Sequence, residues 1–147
     1  WDWLSIQLSD NRELMLYQLR RADGSRDPRS SCTLVDAKGK AVHLADADFT
    51  LTPGRTTFKS PNGAVYPTEW IVRIPSQQLE LTITTPLQDQ ELSLVGSTGV
   101  AYWEGMVDVA GQQADGPTGK QANGLTGVGY LEMTGYHGSL GRVLSGQ

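Results

Sequence analysis

Apolar and polar residues alternate along most of this chain, and helical periodicity is nearly absent. The cleanest case is Leu79-Glu80-Leu81-Thr82-Ile83-Thr84. Successive strand side chains point to opposite faces, so this pattern specifies a strand with one buried and one wet face. Leu4, Ile6 and Leu8 alternate with Trp3, Ser5 and Gln7 in the same way. After Ser9-Asp10-Asn11-Arg12, Leu14 and Leu16 alternate with Met15, Tyr17 and Leu19, which predicts a hairpin. Asp36-Ala37-Lys38-Gly39-Lys40 predicts a second hairpin turn between residues 32–35 and 41–44.

Residues 20–30 read as a polar loop, and 61–67 as a loop marked by Pro61-Asn62-Gly63 and Pro67. Residues 49–52 and 56–59 form short strands broken by Pro53-Gly54. Residues 70–74 and 91–95 are further strands. Two aromatic strands follow, 102–109 and 128–136, with the Gly-, Gln- and Asp-rich stretch 112–124 expected as a mobile loop between them. About nine or ten short strands at roughly ten-residue spacing predict one all-β domain over residues 1–147, an antiparallel barrel with little helix. Leu4, Ile6, Leu81, Ile83, Val107 and Val109 are expected in its core.

Composition narrows the function classes. A net charge of -4 and no Lys/Arg stripe argue against a nucleic-acid partner. No apolar run approaches the roughly 18–20 residues of a helical membrane span. The single cysteine, Cys32, excludes an internal disulfide and is expected as a buried, inert thiol. His43 and His137 stand far apart and belong to no ligand-spaced cluster, so neither a metal site nor a cofactor is expected. The serines in Gly96-Ser97-Thr98-Gly99 and Gly138-Ser139-Leu140-Gly141 read as turn residues, and Gly127-Val128-Gly129 lacks the helix a phosphate loop needs.

The chemistry-bearing candidates lie on the aromatic strands. Period two places Tyr102, Glu104 and Met106 on one face of their strand, and Tyr130, Glu132 and Thr134 on one face of theirs. A carboxyl desolvated among such rings would have a raised pKa and could serve as a general acid. Glu104 and Glu132 are therefore candidate acids; an arginine partner (Arg12, Arg73 or Arg142) or open solvent would make them structural instead. Glu91 reads as a turn or strand-edge charge. Trp3, Tyr17, Trp70, Tyr102, Trp103 and Tyr130 are candidates for stacking on an apolar ligand.

Five ordered motifs carry a family resemblance. Asp2-Trp3-Leu4-Ser5-Ile6-Gln7-Leu8 with Arg12-Glu13-Leu14-Met15-Leu16-Tyr17-Gln18-Leu19-Arg20 resembles the opening of the second domain of the AttH-like proteins. These are grouped with the carotenoid 1,2-hydratases in a lipocalin-like superfamily. Ser60-Pro61-Asn62-Gly63-Ala64-Val65-Tyr66-Pro67 with Glu69-Trp70 resembles the mid-domain motif. Asp89-Gln90-Glu91, Tyr102-Trp103-Glu104-Gly105 and Gly127-Val128-Gly129-Tyr130-Leu131-Glu132-Met133-Thr134-Gly135-Tyr136 resemble the closing motifs.

The resemblance implies a lipocalin-like barrel that is the C-terminal half of a two-barrel protein, with an N-terminal sister barrel as partner. It also implies a periplasmic or secreted setting and an apolar small molecule as ligand. The hydratase branch adds water across an alkene by acid catalysis, without a redox cofactor. That branch uses Tyr-x-Asp where this chain has Tyr17-Gln18-Leu19, so Tyr17 is retained and Leu19 replaces the acid. The expected function is binding of an apolar or amphipathic small molecule. The alternatives are a cofactor-independent hydratase or hydrolase using Glu104, Glu132 and Tyr17, and a partner barrel with no ligand of its own.

Overall fold

Short side-chain hydrogen bonds fix the tight turns. Asp10 accepts from the Arg12 amide at 3.1 Å, and Asn11 adopts φ 66° beside it. Asp36 accepts from the amides of Lys38 and Lys40 at 2.8 and 2.9 Å, while Gly39 takes φ 83°. That positive φ is cheap for glycine, so the strands on either side fold back in register.

A computed structural model describes residues 1–94, 100–115 and 120–137. Its strands are β1 (Asp2–Leu8), β2 (Glu13–Gln18), β3 (Ser31–Val35), β4 (Ala41–Ala45), β5 (Thr50–Pro53) and β6 (Thr57–Lys59), followed by β7 (Val65–Pro67), β8 (Glu69–Ile74), β9 (Leu79–Thr84), β10 (Glu91–Leu94), β11 (Val100–Asp115) and β12 (Lys120–Thr134). One antiparallel sheet runs β4-β3-β2-β1-β12-β11-β9-β8-β5, with β10 added to β11. The first and last of the described strands are thus neighbours at its centre. The sheet curls into a lipocalin-like half-barrel. Its two edge strands, β4 and β5, are joined by a single 3-10 turn at Asp46–Asp48. β6 and β7 form a separate two-stranded ribbon.

All six expected core residues are buried, Leu4, Ile6 and Leu81 completely. They belong to one apolar cluster that fills the inward rows with Leu16, Val72, Trp103 and Met133 among others. Gly127 and Gly129 also face inward, where a Cβ would collide with the Gln7 and Ser5 carbonyl oxygens of β1. Their role is to let β1 and β12 approach closely, not to hold a phosphate. Cys32 is fully buried, and burial pushes its thiol up to about 12, which makes it inert. His43 and His137 are exposed; the His43 Nε2 lies 3.5 Å from the Ser31 hydroxyl.

Two sequence expectations change. The stretch 112–124 is mostly ladder, not loop: β11 runs to Asp115 and β12 starts at Lys120, paired from Gln112↔Asn123 to Asp115↔Lys120. Gly, Asp and Asn are poor strand formers, but a cross-strand partner satisfies their backbone groups and overrides propensity, with one register shift at Gly111/Gln112. Pro67 lies inside β7 rather than in a loop, on a ribbon where a missing amide is tolerated. Residues 95–99 and 138–147, with the two serine turns and Arg142, lie outside the described residues.

The facing of β9 yields a direct check. Leu81→Ala should lower stability by about 2–5 kcal/mol, whereas Thr82→Ala, pointing outward, should stay within about 0.5 kcal/mol. Urea midpoints at constant slope measure both.

Candidate functional site

Strand register brings most of the sequence candidates onto one face. Tyr17 pairs with Trp3, Trp3 with Glu132, and Glu132 with Glu104, so one outward row crosses β2, β1, β12 and β11. The adjacent row reads Met15, Ser5, Tyr130, Met106. Tyr102 stands opposite Thr134 at the end of the patch. The inward positions of these strands hold the core, so this surface is the outer, solvent-facing side of the sheet. Met106 and Val128 are each 51% exposed and Tyr130 is 42% exposed, which leaves a contiguous apolar and aromatic surface without cover.

Glu104 and Glu132 sit within this surface, half-buried and directly opposite one another. The Trp1 indole donates to Glu132 Oε1 at 2.8 Å, and its ring lies 6.4 Å from that of Tyr102. Burial, then the charges of Glu104 and Glu132, raise the Tyr130 phenol above its usual value. Among the described residues no cationic side chain pairs with either glutamate: Arg12 bonds Asp10 and Arg73 bonds Glu80. Trp70 and Trp103 point the other way. Both are core residues, donating through their indole nitrogens to the Pro67 and Gln88 carbonyls at 3.2 and 2.8 Å. A depression of about 300 Å³ lies where β9, β11 and β12 meet, lined by Glu80, Thr82, Gln112 and Thr126 among others; it includes none of the aromatic residues.

A second constellation escaped the sequence reading. Asp2 faces inward with no exposed surface, ion-paired to Arg20 and accepting from the Tyr136 hydroxyl at 2.8 Å. Arg20 also donates to the Thr134 carbonyl at 2.5 Å and lies 4.4 Å from the Tyr136 ring centroid. Burial disfavours the Arg20 guanidinium, but Asp2 and Tyr136 outweigh it and raise its pKa. Tyr136 packs on Tyr66 at 5.1 Å between ring centroids. The Tyr66 hydroxyl donates to Glu91 at 3.1 Å, and Glu91 also accepts from Ser60 and from Asn62. Residues from four of the five sequence motifs therefore meet at one end of the sheet.

Donors answer both the buried Asp2 and the half-buried Glu91, so this cluster is a brace. It ties β1, the β6–β7 ribbon, β10 and the segment after β12. Gly105 belongs to the same joint: a Cβ there would overlap the Gln90 carboxamide, which bonds the Thr85 hydroxyl at 2.8 Å. The available signal was the co-occurrence of Asp2, Tyr66, Glu91 and Tyr136 in the motifs; spacing alone gives no hint that they touch.

The sequence profile of the AttH-like proteins matches residues 1–136. The fold resembles the crystal structure of an AttH protein from Nitrosomonas europaea, with 34% identity over 92% of this chain and a TM-score of 0.75. It also resembles kievitone hydratase from Nectria haematococca, with 20% identity over 89% of this chain and a TM-score of 0.64; at that identity the likeness concerns the fold alone. This chain spans 38% of the length of each of those two proteins. No curated protein matches it significantly.

The brace has a pH signature. Tyr66 and Tyr136 are held above the ordinary phenol value of about 10, first by burial, then by Glu91 and Asp2 respectively. The folded chain thus keeps protons that the unfolded chain releases. This contribution is complete below about pH 10 and is lost as pH rises beyond it. Urea midpoints should fall in that alkaline range. Tyr136→Phe should lower stability at neutral pH by about 1–3 kcal/mol, by stranding part of Asp2, and should flatten the alkaline decline.

Proposed function

This chain belongs to the AttH-like family, and from that premise we propose that it is a lipocalin-like domain binding an apolar or amphipathic small molecule on its outer aromatic face. The observation that carries the reading is the uncovered surface of Met106, Val128 and Tyr130 beside Trp3 and Tyr17. Inward rows are occupied by the domain's own core, so the aromatic rings available to a ligand are those facing out. An apolar body would lie on the Met15–Tyr130–Met106 row, gaining roughly 25 cal/mol for each Å² removed from water. Flexible methionines beside rigid rings suit a surface that adapts to one ligand shape. The reading includes the exported setting that goes with the family resemblance. No helix among the described residues is long and apolar enough to cross a membrane.

A second reading has its own support. The two solved relatives are much longer than this chain, and an uncovered apolar sheet face suits packing against a sister barrel. On that reading the same rows are a domain interface, and the domain alone binds nothing.

Titration with lipophilic fluorophores and polyenes, read by tryptophan quenching, separates the two. Saturable binding that weakens about tenfold in Tyr130→Ser/Met106→Ser, with unchanged urea midpoint, supports the ligand reading. Absence of saturable binding by every probe would sink it. If an alkene substrate is turned over, Glu104→Gln or Glu132→Gln should abolish turnover without loss of fold.

A further inference from the structure

Charge on the outer face is one-sided. The outward positions of β2, β1, β12 and β11 carry Glu13, Glu104, Asp108 and Glu132, and among the described residues they carry no Lys, Arg or His. Three arginines form ion pairs elsewhere: Arg20 turns inward to Asp2, and Arg12 and Arg73 bond Asp10 and Glu80. The α-amino group of Trp1 donates to the Thr134 carbonyl at 3.4 Å and feels the charges of Asp2 and Glu132, but burial, then Arg20, outweigh them and lower its pKa, which weakens it as a counter-ion to the pair. Glu104 and Glu132 are direct cross-strand partners, an arrangement of like charges that is unfavourable in an antiparallel pair. Around that pair stand Tyr130, Tyr102, Trp3 and Trp1, rings whose faces attract cations.

We propose that the polar end of the bound amphiphile is a cation, an ammonium or quaternary ammonium head held over the Glu104–Glu132 pair with its apolar tail along the Tyr130–Met106 row. The inference rests on the small-molecule reading above and adds the ligand's charge. Two carboxylates supply the counter-charge, the rings supply cation–π contact, and the methionines supply the tail surface. An anionic head would meet repulsion from four carboxylates. A neutral head would leave the Glu104–Glu132 repulsion in place.

The experiment is calorimetric titration of the folded chain with three amphiphiles of equal tail length, each below its micelle concentration: dodecyltrimethylammonium, dodecyl maltoside and dodecyl sulfate. The cation should bind about tenfold or more tightly than the maltoside, with an advantage that shrinks as salt is added. Glu104→Gln/Glu132→Gln should bring the cation down to the maltoside's affinity while leaving the maltoside unchanged. Glu80→Gln/Asp89→Asn, a matched loss of two charges off the patch, should leave the preference intact. Equal binding of cation and maltoside overturns the cation proposal and leaves the small-molecule reading standing. Tighter binding of dodecyl sulfate, or a cation preference that survives in the Glu104/Glu132 double variant, also overturns it. Failure of all three amphiphiles to bind overturns both.

Discussion

A carboxylate with no exposed surface cannot sit at the seam between the first and last strands unless its charge is answered on the spot. Asp2 is in that position, and Arg20 and Tyr136 answer it. The arrangement fixes three things at once. It sets the depth of β1 in the sheet, the path of the chain leaving β2, and the turn that follows β12. From Tyr136 the contact passes by ring packing to Tyr66, and from Tyr66 to Glu91. The ribbon of β6 and β7 is thereby held against the end of the sheet. Truncating Asp2 would leave a half-buried guanidinium uncompensated, which is a far larger defect than losing a surface ion pair.

With an apolar cluster on its inward rows and one end braced, the domain presents rings and carboxylates on the outside of the sheet. The inward side is mostly hydrocarbon, with the Asp2 brace at one end; the outward side carries rings, thioethers and carboxylates in ordered rows. Order comes from the ladder itself, since each strand adds one residue to each row at a fixed spacing.

Much of the fold was legible because period two is a strong signal when one face is apolar. Leu79 to Thr84 and Leu4 to Leu8 could be assigned residue by residue, and their buried members match. Facing was legible only where the two sides differ in polarity. On the strand carrying Tyr102, Trp103 and Glu104 both sides hold aromatics, so alternation could not reveal that Trp103 goes in and Tyr102 stays out. In the stretch 112–124 composition describes each residue's intrinsic preference, whereas its conformation is set by a partner strand. The brace was invisible for a related reason. Asp2 and Tyr136 stand at opposite ends of the sequence and meet only through the β1–β12 ladder.

The central place of β1 beside β12 also bears on how the chain acquires its structure. Asp2 pairs with Met133 and Leu8 with Gly127, so one side of β1 has no partner until β12, more than a hundred residues further on, has been made. Such long sequence separations make loop closure costly and place this fold among the slower topologies. Until β12 arrives, β1 is an apolar edge open to any other strand nearby. Assembly of this sheet is therefore gated by β12, and chains interrupted before β12 are the ones exposed to aggregation.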